Sequence, residues 1–76
     1  MKKPKRHVYL VDNLTAARAD VIERGLQAVT SIESINVDLN QRIIEIVSSR
    51  NPDDHVQVAC DVAGAVLRTK VKKRHL

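Results

Sequence analysis

Along residues 7–11, HVYLV, apolar side chains run almost without a break, and Val8 and Leu10 alternate with Tyr9 and Val11. The pattern predicts a short strand with Val8 and Leu10 turned inward and Tyr9 and Val11 on the opposite face. The DNLT that follows is turn-like and rich in capping residues. Ala19, Ile22, Leu26 and Val29 then recur at helical spacing, which predicts a helix over 16–29 with Arg18, Asp20, Glu23, Arg24 and Gln27 off the stripe. Gly25 disfavours that helix by ~1 kcal/mol relative to Ala, so close packing against a strand is expected there. Ile35, Val37 and Leu39 alternate with Asn36 and Asp38 as a half-buried strand. Residues 42–48 read as its neighbour, with Ile44 and Ile46 on one face and Ile43, Glu45 and Val47 on the other. Asn40 and Gln41 would link the two as a tight hairpin, Asn being tolerant of positive φ. In RNPDD, Asn51 reads as an N-cap, Pro52 as the first helical residue and Asp53 and Asp54 as the first turn. Val56, Ala59, Cys60 and Ala63 make the stripe of a helix that ends at Gly64, and a last strand over 66–71 puts Leu67, Thr69 and Val71 on one side.

The order strand-helix-strand-strand-helix-strand implies two right-handed crossovers sharing a hairpin. The expected fold is α+β, a ferredoxin-like sandwich whose four-stranded antiparallel sheet has the order 4-1-3-2 with both helices on one face. Residues 1–76 then form one domain with basic tails at 1–6 and 72–76. Charge sharpens this picture. Lys2, Lys3, Lys5 and Arg6 stand at one end of the chain, and Arg68, Lys70, Lys72, Lys73 and Arg74 at the other. Between them acidic residues outnumber basic ones nine to four. Antiparallel pairing of the first and last strands brings the two ends together into one basic patch, with the 12–15 loop at the opposite end of the first strand.

Composition narrows the classes. A chain of 76 residues buries only about 60% of its unfolded surface. With no Trp or Phe and one Tyr, the core must be aliphatic. A single cysteine excludes an internal disulfide and a multi-cysteine metal knuckle, which suits a reducing cytoplasm. No apolar run approaches the ~18 residues of a membrane span. MKKPKR looks like the start of a signal peptide, but HVYLVDN is too short and polar for its apolar segment. A cytoplasmic location is expected, either alone or as the cytosolic domain of a membrane protein, since KVKKRHL would suit a juxtamembrane segment.

The stretch ADVIERGLQAVTSIESINVDLNQRIIEIVSS resembles the heavy-metal-associated domains of copper chaperones and metal-transporting ATPases. Ile22-Glu23-Arg24 and Leu26 match the family's first helix. Ile32, Ile35, Val37 and Leu39 match its second strand, with Ser31 where the family has Gly. The resemblance implies the same ferredoxin-like scaffold. It also implies a Cys-x-x-Cys after the first strand, where two thiolates take a soft ion such as Cu(I). Those positions fall here on Thr15 and Arg18. Neither is a thiolate, and a fixed cation at Arg18 would repel a metal ion. The chain resembles a degenerate member of the family that lacks the motif.

The remaining candidates are few. Cys60 lies in an apolar stripe and reads as a small core residue, with metal ligation the alternative. His55, beside Asp53 and Asp54, could form a carboxylate–imidazole site, or simply belong to a solvated first turn. His7 and His75 both lie at the basic end. Thr15 and Arg18 could hold an anion at a helix N-terminus. Tyr9 on an open sheet face invites base stacking, but the third strand has no aromatic partner for it. Tyr9, Val11, Ile43 and Val47 could together form a surface for another protein or for a second copy of the chain. The basic patch of Lys2, Lys3, Lys5, Arg6, Lys70, Lys72, Lys73 and Arg74 would attract nucleic acid, an anionic membrane or an acidic protein. No phosphate loop, catalytic triad or carboxylate pair suggests an enzyme. The expectation is a non-catalytic interaction module in a metal-transport or regulatory context, with no cofactor. The alternatives are copper, zinc or iron held by Cys60 and histidines, or electrostatic binding at the basic end.

Overall fold

The computed structural model describes residues 3–71. Its elements are β1 (Lys5–Asp12), α1 (Ala16–Gln27), β2 (Ile32–Asp38), β3 (Ile43–Ser48), α2 (Asp53–Ala63) and β4 (Val66–Val71). They build the expected ferredoxin-like sandwich. One sheet runs β2-β3-β1-β4, all neighbours are antiparallel, and both helices contribute to a single core on one face. Ile22 and Leu26 of α1, Val56 and Cys60 of α2, and Ile44 and Ile46 of β3 are sealed from solvent there. Ile35, Val37 and Leu67 pack against the same cluster at its edges.

The first strand faces the other way from the expectation. Tyr9 and Val11 are buried in the core, and Val8 and Leu10 lie half-buried on the open face. The reason lies at the strand's ends. Arg6, Val8, Leu10 and Asp12 share one face, so turning Val8 and Leu10 inward would bury two charges with them. The other face, Lys5, His7, Tyr9 and Val11, carries one charge, and that one stands at the exposed start of the strand. Tyr9 and Val11 therefore leave the proposed partner surface. The open face is lined instead by Val8, Leu10, Ile43 and Val47, with Glu45 across from Val8.

Three smaller differences have local causes. A β-bulge between Leu10 and Val11 pairs them with Thr69 and Leu67, so Arg68 is the extra residue. Leu67 thus packs toward the core, while Thr69 and Val71 follow Leu10 and Val8 on the open face. The β2–β3 hairpin has four connecting residues, and the one with positive φ is Arg42 (59°), not Asn40. Asp38 accepts the Gln41 backbone N–H at 3.1 Å, which closes this longer turn and leaves Leu39 outside the strand, 43% exposed. Helix α1 stops at Gln27, short of Val29, whose N–H turns back to the Leu26 carbonyl. Gly25 faces the other helix rather than a strand, since a Cβ there would lie 3.9 Å from that of Ala59.

Helix α2 is fixed at both ends. The N-cap is Pro52, one residue later than expected and without a side-chain cap, and Asn51 just before it accepts the Asp53 N–H on its side-chain oxygen at 3.0 Å. At the far end Gly64 takes φ 85°, and the N–H groups of Gly64 and Ala65 return to Asp61 and Cys60. This pair of bonds satisfies the last carbonyls and needs a residue at ease with positive φ. Between these ends Asp53 ties α2 to the sheet. Its carboxylate accepts the Tyr9 hydroxyl and pairs with Lys70 Nζ at 2.9 Å, and the same ammonium lies 5.5 Å from the Tyr9 ring centroid.

That cluster is titratable. Burial alone would raise the Asp53 pKa, but bonds from Tyr9 and Lys70, the Lys70 charge and the Asn51 contact together hold it below its ordinary value of 3.8. Tyr9→Phe keeps the ring and removes the hydroxyl, and we expect a loss of ~1–2 kcal/mol in urea unfolding at neutral pH. A depressed carboxylate pKa contributes stability above the unfolded value and loses it as pH falls through the folded one. The gap between wild type and variant should therefore narrow as pH drops below 3.8.

Candidate functional site

The loop between β1 and α1 is where the family resemblance places metal chemistry. Asn13 turns the chain with φ 62°, and Leu14 packs down onto the core. Thr15 is the N-cap of α1, extended at φ −118° and ψ 169°, and its hydroxyl accepts the Arg18 N–H at 3.2 Å. The Arg18 guanidinium folds back to donate to the Asn13 carbonyl at 3.3 Å. Its Nε lies 3.4 Å from the position a Cβ on Gly64 would take. The cation thus spans the loop and the C-terminus of α2, whose dipole end favours positive charge. One predicted ligand position is a helix cap and the other a strap across the loop. A hydroxyl and a guanidinium are not soft donors, so the residues present do not fit a Cu(I)-type site. The same contacts engage the Arg18 backbone N–H and one nitrogen of its guanidinium, two of the groups suggested for an anion site.

The other candidate ligands are dispersed. Cys60 is fully buried, and burial followed by the Asp61 charge pushes its thiol up to about 11. His55 is exposed on α2 beside a shallow groove between the helices, lined by Val21, Gly25, Val58 and Val62. His75 lies outside the described residues. Among the described residues no three His, Cys, Asp or Glu side chains converge as metal ligands would.

Among the described residues the cations of the expected patch take different partners. Arg6 reaches Glu45 at 3.8 Å on the open face, and Lys70 is held by Asp53. Arg68 pairs with Asp12 at 3.0 Å, at the loop end of the sheet. Lys2, Lys72, Lys73 and Arg74 lie outside the described residues. Lys3 and Lys5 converge with His7 and with Arg50, which sequence reading missed, on a cleft of about 410 Å³ closed by Ser48, Ser49 and Asn51. Arg50 carried no local signal. Only the β1–β3 register, with Lys5 opposite Ser48, places it there.

No family model matches the chain, and no curated protein sequence does. Solved structures do. The apo-form N-terminal domain of ZntA superposes with a TM-score of 0.77 at 18% identity, covering 91% of this chain and 94% of that one. The N-terminal domain of PacS from Synechocystis PCC6803 gives 0.72 at 20%, covering 90% and 98%. The yeast copper transporter domain Ccc2a, solved in apo and Cu(I)-loaded states, gives 0.67 at 14%, covering 84% and 94%. The chain therefore has the fold of these domains over nearly its whole length.

Two outcomes follow from the geometry. Thr15→Ala removes the cap and should destabilise the domain by ~1 kcal/mol in chemical denaturation. Cys60, buried and with its thiol pushed up, should resist a disulfide-exchange reagent in the native state and react only in denaturant.

Proposed function

We propose that this domain is a non-catalytic interaction module built on a metal-carrier scaffold, working through protein contacts in a metal-transport or regulatory setting. The observation that carries the reading is the use of Thr15 and Arg18. At the two positions where the resemblance calls for thiolates, the chain has a helix cap and a cation bonded across the loop. The fold shared with a yeast copper transporter domain supports the setting. The half-buried apolar residues Val8, Leu10, Ile43 and Val47 on the uncovered sheet face supply the surface such contacts would use. Metal binding through Cys60 and His55 has no geometry in its favour, because one is buried in the core and the other exposed beside the groove between the helices.

Titration with Cu(I) or Zn(II) against a competing chelator tests this directly. The native chain should take up no stoichiometric metal. The double variant Thr15→Cys with Arg18→Cys should gain one Cu(I) equivalent, because the cap position and first helical turn already hold the two side chains at the right spacing. Stoichiometric uptake by the native chain would overturn the proposal.

A further inference from the structure

The cleft at the far end of β1 has chemistry of its own. Lys3 and Lys5 come from the start of β1, His7 from its helix-facing side, and Arg50 from the link between β3 and α2. The link is held in shape from within. The buried Ser48 hydroxyl donates to the Arg50 carbonyl at 2.6 Å and accepts the Arg50 N–H at 3.2 Å. The Ser49 N–H is tied to the Ser31 carbonyl at 3.0 Å. Arg50 therefore projects from a fixed turn rather than a loose loop.

Charge compensation differs among the cations along the sheet. Among the described residues, Arg6, Lys70 and Arg68 have carboxylate partners, whereas no described carboxylate pairs with Lys3, Lys5 or Arg50. Three cations around one concavity repel one another, and a bound anion relieves that repulsion. We propose that this cleft binds the phosphate dianion of a small phosphorylated molecule or lipid headgroup.

The lining selects for this class. Every lining residue carries a polar or charged group, and three of them are cations, which favours a compact anionic ligand. The one tyrosine is buried, which removes the aromatic platform that single-stranded nucleic acid would use. The fork of Arg50, two ammonium groups and the hydroxyl and amide of Ser49 and Asn51 match a compact group with several oxygens. His7 adds a reporter. Burial, then Lys70 and Lys5, lower its pKa against the opposing pull of Asp53, and a dianion in the cleft would raise it again. The inference is independent of the metal question, since it uses none of the residues of the β1–α1 loop.

The test is a nitrogen-15 NMR titration with inorganic phosphate at constant ionic strength, with chloride as control. It runs beside sedimentation with phosphatidic acid vesicles and with plain phosphatidylcholine vesicles. Saturable shifts confined to Lys5, His7, Ser49, Arg50 and Asn51, with a rise in the His7 pKa, support a free phosphate ligand. Binding to phosphatidic acid vesicles without uptake of free phosphate supports a headgroup. In either arm Arg50→Ala and Lys5→Ala, both at exposed positions, should each weaken binding about tenfold. An unchanged thermal midpoint shows that they fold. The proposal is overturned if both arms fail, if chloride reproduces the shifts, or if neither variant weakens what binds.

Discussion

Tyr9 carries its ring into the core and its hydroxyl to Asp53, and that bond ties α2 to the sheet. It can form only if the odd-numbered residues of β1 face the helices. That orientation puts Val11 in the core and Arg6 and Asp12 where water and partner charges can reach them. The alternative would bury two charges for two aliphatic side chains. The penalty for a buried unpaired charge far exceeds the ~1 kcal/mol by which Val and Leu differ from their neighbours in burial. With β1 set, antiparallel pairing on both sides aligns β3 and β4, and Lys70 arrives opposite Tyr9 to complete the pairing with Asp53.

The architecture was readable from the chain because its elements carry strong local signals. The stripe Ala19, Ile22 and Leu26, the alternation in β3 and the Asn-Pro-Asp-Asp start of α2 each specify one element, and their order leaves one sensible topology. Facing was less legible in β1, where four consecutive apolar residues give no period of two. The signal that decides it sits outside the run, at Arg6 and Asp12. In β4 the bulge at Arg68 shifts alternation by one residue, and no residue of the strand announces it. The cleft was legible only in half. Lys3, Lys5 and the convergence of β1 with β4 can be deduced from topology, but Arg50 depends on the register of β3 against β1 and on Ser48 turning the chain at its end.

The β1–α1 loop holds its shape through contacts of its own side chains. The loop needs a cap for α1 and something to hold its carbonyls together. Thr15 meets the first need with an N-cap bond, and Arg18 the second by joining the Asn13 carbonyl to the end of α2. The guanidinium supplies a fixed positive charge facing the C-terminal dipole of α2, so the local electrostatics are satisfied without an ion.

Viewed along β1, ion pairs stand at both ends, and the start of the sheet also gathers the cations of the cleft. At the loop end Asp12 meets Arg68, and Arg18 meets a carbonyl and a helix terminus. At the other end the acidic residues nearest the cations are already engaged, Glu45 by Arg6 and Asp53 by Tyr9 and Lys70. Asp53 is engaged by Tyr9 and Lys70, and no described carboxylate pairs with Lys3, Lys5 or Arg50. Positive charge is thereby concentrated at the start of the sheet. Ligand chemistry is better supported there than at the loop, because attraction for an anion persists where the chain has not neutralised its own charge.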